Sequence, residues 1–417
     1  MVGAGGAGLA AAVSAAQNGA SVIVVEKNGE VGGDTLVCGA IYNSPDEALQ
    51  SQVTMTDAVK NTIEAALAET PVNDAHAALQ AEVKAQWEAY KSSGRTDLFD
   101  SREWFALQTW INGDKVANLD LVKKLCYDSA EGYEWIQSLG MAFNAHISQG
   151  AGSLWQRTHT STMQMGTGFI STYVENIRKN DKIKLFVNTT AKSLVMENGR
   201  VSGVVCADKN GNEVTYSANK GVVLSTGGFS ANSKMISEYN TSGKWNDLSK
   251  VPTTNRFSCS QGDGINMALS VGASLTDMEQ IQLLYLGNCV DGGLTKYPPR
   301  VVNGTDQEIF VNVNGERFVR EDGRRDQICL AVLQQPEQKF YFIESGDGSY
   351  VDVATAISAD GFTFKYLEDN GYIVVGETVA ELAGKLGMDA AVLQNTIDEF
   401  NACVDAGKDE EFGRTLF

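Results

Sequence analysis

Histidine is nearly absent from this chain of 417 residues, and what there is of it is scattered. His76, His146 and His159 stand too far apart for any i, i+3 or i+4 pair, so no histidine-based metal cluster is predicted. Seven cysteines are spread from Cys38 to Cys403 without a C-x-x-C, a haem-attachment motif or a zinc-type pair. This excludes a disulfide scaffold and fits a reducing, cytoplasmic compartment, with export the alternative where a signal lies upstream of Met1. Positive charge is in short supply: Lys and Arg number 33 against 52 Asp and Glu, a net charge of -19. Such a surface repels phosphate backbones and anionic lipid, which argues against nucleic acid as a partner. No stretch approaches the ~18 consecutive apolar residues of a membrane span, and no signal-like segment opens the chain, so a soluble protein is expected. Yet 43% of the residues are hydrophobic and only six are proline. That composition excludes disorder and suits two globular domains.

What is abundant is glycine, 42 residues, and the first of them carry the main signal. Gly3-Ala4-Gly5-Gly6-Ala7-Gly8 is a G-x-G-x-x-G run, followed by a helical pattern from Leu9 to Gln17 and a stop at Asn18-Gly19. Ser21 to Val25 reads as a buried strand closed by Glu26, about 20 residues after the glycines, where a dinucleotide fold holds a ribose. The glycines allow a tight turn, approach of backbone to a pyrophosphate, and close seating of the helix with its N-terminal dipole toward negative charge. A dinucleotide ligand follows. Met1-Val2 leaves almost nothing of a first strand, so a chain truncated at its start is expected.

From Ala58 to about Gly140 the period is helical, with Trp104, Trp110 and Trp135 as packing residues. The period then shortens. Lys184–Asn188, Ala191–Glu197, Val201–Ala207 and Glu213–Ser217, parted by Asn-Gly turns, predict a β-meander. The meander runs into Gly221 to Gly228, read as a buried strand ending in glycines. A helix with Ala268 and Val271 on its apolar face follows Gly262-Asp263-Gly264. Beyond about Asp277 a strand at Ile309–Val313, a turn at Asn314-Gly315 and helices near 378–387 and 389–405 predict a mixed α+β domain.

These motifs in this order resemble the fumarate reductase and urocanate reductase group of FAD flavoproteins, which includes succinate dehydrogenase flavoprotein subunits and 3-ketosteroid dehydrogenases. The matching segments are 2–8, Glu26-Lys27, 31–35 with Cys38-Gly39, 225–229, 262–264, 315–319 and 324–326. The resemblance implies an α/β fold: a Rossmann-like FAD-binding domain with its meander over residues 1–276, an α+β capping domain over 277–405, and a return toward the first domain at 406–417. It implies that Gly3, Gly5, Ala7 and Gly8 cradle the FAD pyrophosphate, that Glu26 with Lys27 holds the adenosine ribose, and that Gly32, Gly33, Asp34, Thr35, Gly39 and Ala40 pass beside the flavin. Ala191, Thr226, Gly227 and Asp263 match further FAD contacts. Gly33 to Asp46 contains no histidine for a covalent flavin link, so non-covalent FAD is expected.

The catalysis implied is reduction of the C=C bond of an α,β-unsaturated carboxylate. Flavin N5 gives a hydride to the β-carbon and Arg325 protonates the α-carbon, with Asp326 and Arg324 to orient it. Because a guanidinium seldom releases its proton, that role needs burial against the substrate and stabilisation of developing negative charge. Gln282 and Arg300 match the family's glutamine and a proton-relay arginine. The histidine that fumarate reductases place two residues after this glutamine is Leu284 here, and the relay's acid falls near Tyr297. A compact dicarboxylate thus loses a polar anchor, whereas Leu284, Tyr285 and Tyr297 suit an enoate with an apolar or aromatic far end. Two other readings stand beside this one: a dehydrogenase of ketosteroid-like or other hydrophobic substrates, and a non-catalytic binding or assembly partner. The family's C-terminal return segment is not reached by Phe417, so an internal piece of a longer reductase, poor in FAD affinity by itself, is expected. The electron donor is unidentified, an N-terminal domain or a separate redox protein.

Overall fold

The computed structural model describes residues 1–149, 155–294, 308–344, 357–358 and 361–414. It divides into two compact units, Met1–Thr226 with Met267–Ala273, and Gly227–Asn266 with Ser274–Phe417. Residues 227–266, assigned by the sequence reading to the dinucleotide-binding part, thus cluster with the second unit.

In the first unit the Ala-rich helix α1 (Gly6–Gln17) leads into β1 (Val22–Val25). Leu9, Ala12, Val13 and Ala16 of the helix are buried with Val22 and Val24 of the strand. Further along come β2 (Ile41–Asn43) and a run of helices: α2 (Glu47–Gln50), α3 (Asp57–Ala68), α4 (Asp74–Ser93), α5 (Arg102–Asn112) and α6 (Leu119–Ser138). Thr56, Asn73, Ser101 and Asn118 cap the last four with side-chain oxygens, each satisfying an amide that the first turn leaves open. Their apolar faces meet around Trp87, Trp104 and Trp110, all buried, while Trp135 packs half-buried on the core under α1. Then follow β3 (Thr158–Thr160), α7 (Thr167–Arg178), β4 (Ile183–Phe186), β5 (Thr190–Glu197), β6 (Arg200–Ala207) and β7 (Glu213–Ser217).

Two strand expectations change. The antiparallel meander is β5-β6-β7, whereas β4 pairs in parallel with β1, Val22 opposite Ile183 through Val25 opposite Phe186. A run of four strand-like residues carries no local sign of which sheet it joins, and that ambiguity produced the difference. The segment 221–225 is also not a buried strand. Its backbone holds Val2, with Val2 N–H donating to Val223 O at 2.9 Å and Ser225 N–H to Val2 O at 2.8 Å. The side chains of Val223 and Leu224 remain 43% and 36% exposed.

The second unit contains α8 (Ser233–Tyr239), the start of α9 (Asp263–Ser270), β8 (Glu308–Asn312), α10 (Arg325–Leu333), β9 (Phe340–Glu344), α11 (Phe364–Asp369), α12 (Val379–Leu386) and α13 (Ala390–Ala406). On α9 it is Met267 that is buried; Val271 lies past the helix end. Strands β8 and β9 pair antiparallel, and Ile309, Val311, Ala383, Leu393 and Phe400 join them to α12 and α13. The result is the α/β fold with a meander that the glycine run and strand periods predict.

Both units contain buried charge with full partnership. Arg157 donates from Nε and Nη2 to the two carboxylate oxygens of Asp100 at 3.0 and 2.9 Å, and from Nη1 to Gln108 at 2.9 Å. In the second unit Arg317 bridges Glu321 and Asp409, and Arg414 donates to the Glu308 carbonyl at 2.7 Å beside Glu321. Removing one member of such a pair leaves an uncompensated buried charge.

Burial lowers the pKa of His76 and His159, holding both neutral. His159 lies under Tyr133, with Nε2 3.1 Å from Ser44 O and a buried Nδ1 lacking a partner. A histidine whose folded pKa is depressed binds its proton more readily when unfolded, so its stabilisation is lost as pH falls below about 6.5. Melting temperature is therefore expected to drop from pH 7.5 to about 5.5. The drop should shrink in His159→Gln, which keeps a donor for Ser44; an identical drop in the variant contradicts this.

Candidate active site

The glycine run forms the turn from Val2 into α1. Gly3 sits at φ +98°, and a Cβ on Gly8 would lie 2.0 Å from Gly3 O, so helix and turn close only on glycine at position 8. Gly5 differs: a Cβ there would meet nothing nearer than Gly32 O at 3.8 Å. Its backbone is extended, it caps α1 without a side chain, and the first turn holds no acid. The fold itself does not require glycine at position 5. A helix N-terminus with open space at Gly5 and no acid in its first turn fits a pyrophosphate.

Glu26 follows β1 and is buried. Its Oε2 accepts from Ala4 N–H at 2.8 Å and its Oε1 from Asn28 N–H at 2.9 Å. The turn itself thus fixes the carboxylate, and each oxygen retains acceptor capacity suited to ribose hydroxyls. Lys27 comes next, half-buried. The loop after it is tied to the same turn: Gly32 N–H donates to Ala4 O at 2.8 Å, and Gly6 N–H to Thr35 Oγ1 at 3.1 Å. Gly33, Asp34 and Thr35 open a 3-10 turn, Gly39 is exposed, and Ala40 is buried at φ +60°. Ala191 sits on β5 opposite Cys206 at a register shift. Ser225, which had no assigned role, donates to Val2 O and Gly3 O at 2.9 and 3.0 Å and so braces the glycine turn. Thr226 ends this segment.

In the second unit Gly227 has φ +74° and Asp263 opens α9. The residues matched to catalysis fall on residues 281–285 and on the first turn of α10. Arg325 is the first residue of that helix and is half-buried. Arg324 donates to Asp326 from Nε at 3.1 Å and Nη2 at 3.0 Å, and Lys244 Nζ lies 2.7 Å from Asp326 Oδ2. Burial alone would raise the Asp326 pKa; the two cations outweigh it and bring it to about 2. Tyr285 packs against Phe310 and Phe340, with ring centroids 5.7 and 6.5 Å away. Burial and then Glu308 push its pKa up to about 12, partly offset by the Arg325 charge, so the hydroxyl stays protonated. Leu284 is half-buried, while Gln282 is exposed and donates to Leu283 O at 2.6 Å. Arg300 and Tyr297 lie outside the described residues. Lys244 and Trp245 were not signalled by any motif. Among the described residues no cluster of metal-ligating side chains occurs, and no helix is long and apolar enough to cross a membrane.

Comparison with known proteins identifies the family. The chain is 31% identical to an NADH:acrylate oxidoreductase of Vibrio harveyi, aligned over 100% of the chain and 42% of that protein. It is 30% identical to a urocanate reductase of Eggerthella lenta over 99% of the chain and 60% of the relative. It is 29% identical to an NADH:fumarate oxidoreductase of Klebsiella pneumoniae, covering 38% of that protein. The chain therefore spans between about two fifths and three fifths of these relatives' length. Among solved structures, the open conformation of a flavocytochrome c3 fumarate reductase superposes with a TM-score of 0.67 at 26% identity, over 100% of the chain and 63% of the other. A family model described as an FAD binding domain matches residues 1–92 and 88–415. The chain belongs to this FAD binding domain family, and FAD is its cofactor.

Proposed function

We infer that this chain is the flavin- and substrate-binding body of a reductase that saturates the C=C bond of an α,β-unsaturated carboxylate. The observation that carries the reading is the cluster in the second unit: Arg325 opens α10 between Arg324 and Asp326, whose side chains bond each other, and its charge reaches Tyr285, which packs on Phe310 and Phe340. FAD, when bound and reduced, supplies the hydride for the β-carbon. Gly3, Gly5, Ala7, Gly8 and the N-terminus of α1 hold its pyrophosphate, Glu26 and Lys27 its ribose, and Gly32 to Thr35 with Gly39 and Ala40 the flavin side. Ala191, Thr226, Gly227 and Asp263 complete the binding set, which contains no covalent link.

Arg325 stabilises the negative charge that develops toward the carboxylate and delivers a proton to the α-carbon. A guanidinium performs this step only with its charge fixed and rapidly restored, and Asp326, bonded to Arg324 and Lys244, holds the helical turn that carries Arg325. Arg300 serves the return of the proton, and Gln282 stands where the family has its glutamine. Tyr285, a donor throughout the working pH range, orients the acid, and Leu284 with Tyr297 accepts its apolar end. Reducing equivalents come from another domain or a separate redox protein; the relatives' names point to NADH as their source.

With reduced viologen as donor, the FAD-loaded full-length reductase that contains this chain is expected to turn over acrylate, crotonate or cinnamate faster than fumarate. A preference for fumarate refutes the assignment of Leu284. Denaturation is expected to release all the flavin into solution, and flavin that stays with the precipitated protein refutes non-covalent binding.

A further inference from the structure

Two stretches of the second unit, distant in sequence, converge on the dipeptide Lys244-Trp245. Trp245 is 5% exposed, and its indole N–H donates to Ile281 O at 2.9 Å, four residues before Tyr285 in the same segment. The same indole shares a core with Leu248, Cys329 and Leu333, the last two being on α10. Lys244 meets the other end of that helix's first turn, with Nζ 2.7 Å from Asp326 Oδ2. Asp326 in turn grips Arg324 with both carboxylate oxygens. The residue between those two is Arg325.

We propose that Lys244 and Trp245 form a clamp that positions Arg325: the indole fixes α10 against residues 281–285, and the ammonium, through Asp326, sets the orientation of the helix's first turn. Lys244 is a positioning residue, since it reaches Arg325 only through its neighbour. Trp245 is anchored by burial and a hydrogen bond immediately beside Lys244. Arg324 by itself does not determine the geometry, because it moves with the helix it caps; Lys244 is the partner that ties Asp326 to a separate segment. The clamp rests on the assignment of Arg325 as proton donor, and its test keeps the two apart.

The test uses Lys244→Met, Lys244→Arg and Arg325→Ala in the FAD-loaded protein, assayed with reduced viologen and the fastest acceptor among acrylate, crotonate and cinnamate. Lys244→Met is expected to lower kcat about tenfold, because a small misplacement of a reacting group is sufficient for that. KM, flavin content and melting temperature are expected to stay near the parent values, and Lys244→Arg to restore most of kcat. Deuterium uptake across residues 325–333 should be faster in Lys244→Met, a readout independent of turnover. An unchanged kcat in Lys244→Met with Arg325→Ala inactive overturns the clamp alone, as does unchanged uptake. Full activity of Arg325→Ala overturns the reading on which the clamp stands.

Discussion

Arg325→Ala is expected to lower kcat by roughly 10²–10³-fold, the usual loss when a group that stabilises transition-state charge is removed. Alanine removes both the donor and the fixed positive charge, while the first turn of α10 keeps Arg324 and Asp326 in their mutual bond. The helix should therefore survive the substitution, and melting temperature should change little. Arg325→Lys tests the finer point. Lysine keeps the charge but not the planar fork, so it should recover only part of the rate if geometry matters as argued. An alanine variant with near-parent kcat would remove Arg325 from the mechanism, whatever its effect on KM.

The second large effect separates two glycines of one motif. Gly8→Ala places a methyl 2.0 Å from a backbone carbonyl, which no side-chain rotation relieves. Overpacking of that kind destabilises by about 1–3 kcal/mol, and the fold and FAD binding fail together. Gly5→Ala meets only ordinary contact at 3.8 Å in the protein, so its melting temperature without FAD should match the parent. In the proposed cradle its methyl stands where the pyrophosphate approaches, and the same overpacking falls on the complex alone. That is about 10- to 100-fold in FAD affinity. Flavin titration and thermal unfolding of the FAD-free proteins read the two effects independently. Parent-like FAD affinity in Gly5→Ala would mean that the cradle is elsewhere.

The difference between these glycines shows what a sequence can carry. The motif, the helix after it and Glu26 at the strand end are local features, each dictated by neighbours within a few residues, and their positions were legible. The helices at 379–386 and 390–406 were legible for the same reason, since Thr378 and Asp389 cap them. Pairing was not: Ile183 to Phe186 look like any short strand, and only the partner Val22 to Val25 decides the sheet. Strand β9, Phe340–Glu344, went unrecognised because its apolar run shows no alternation. The ties that hold the candidate catalytic arginine are longer still, Lys244 to Asp326 and Trp245 to Ile281, and no spacing rule reaches across them. The same holds for Arg317, matched as motif and found in a buried ion network with Asp409.

The central claim is that an unsaturated acid takes its hydride from this protein's flavin and its proton through Arg325. Anaerobic mixing of the photoreduced, FAD-loaded protein with acrylate, crotonate, cinnamate and fumarate, with flavin absorbance followed in time, tests it most directly. The expected result is stoichiometric reoxidation of the flavin by at least one monocarboxylic enoate, with saturated acid as product, and a rate that collapses in Arg325→Ala. Flavin that stays reduced with every enoate, or is reoxidised equally fast in the variant, would contradict the account.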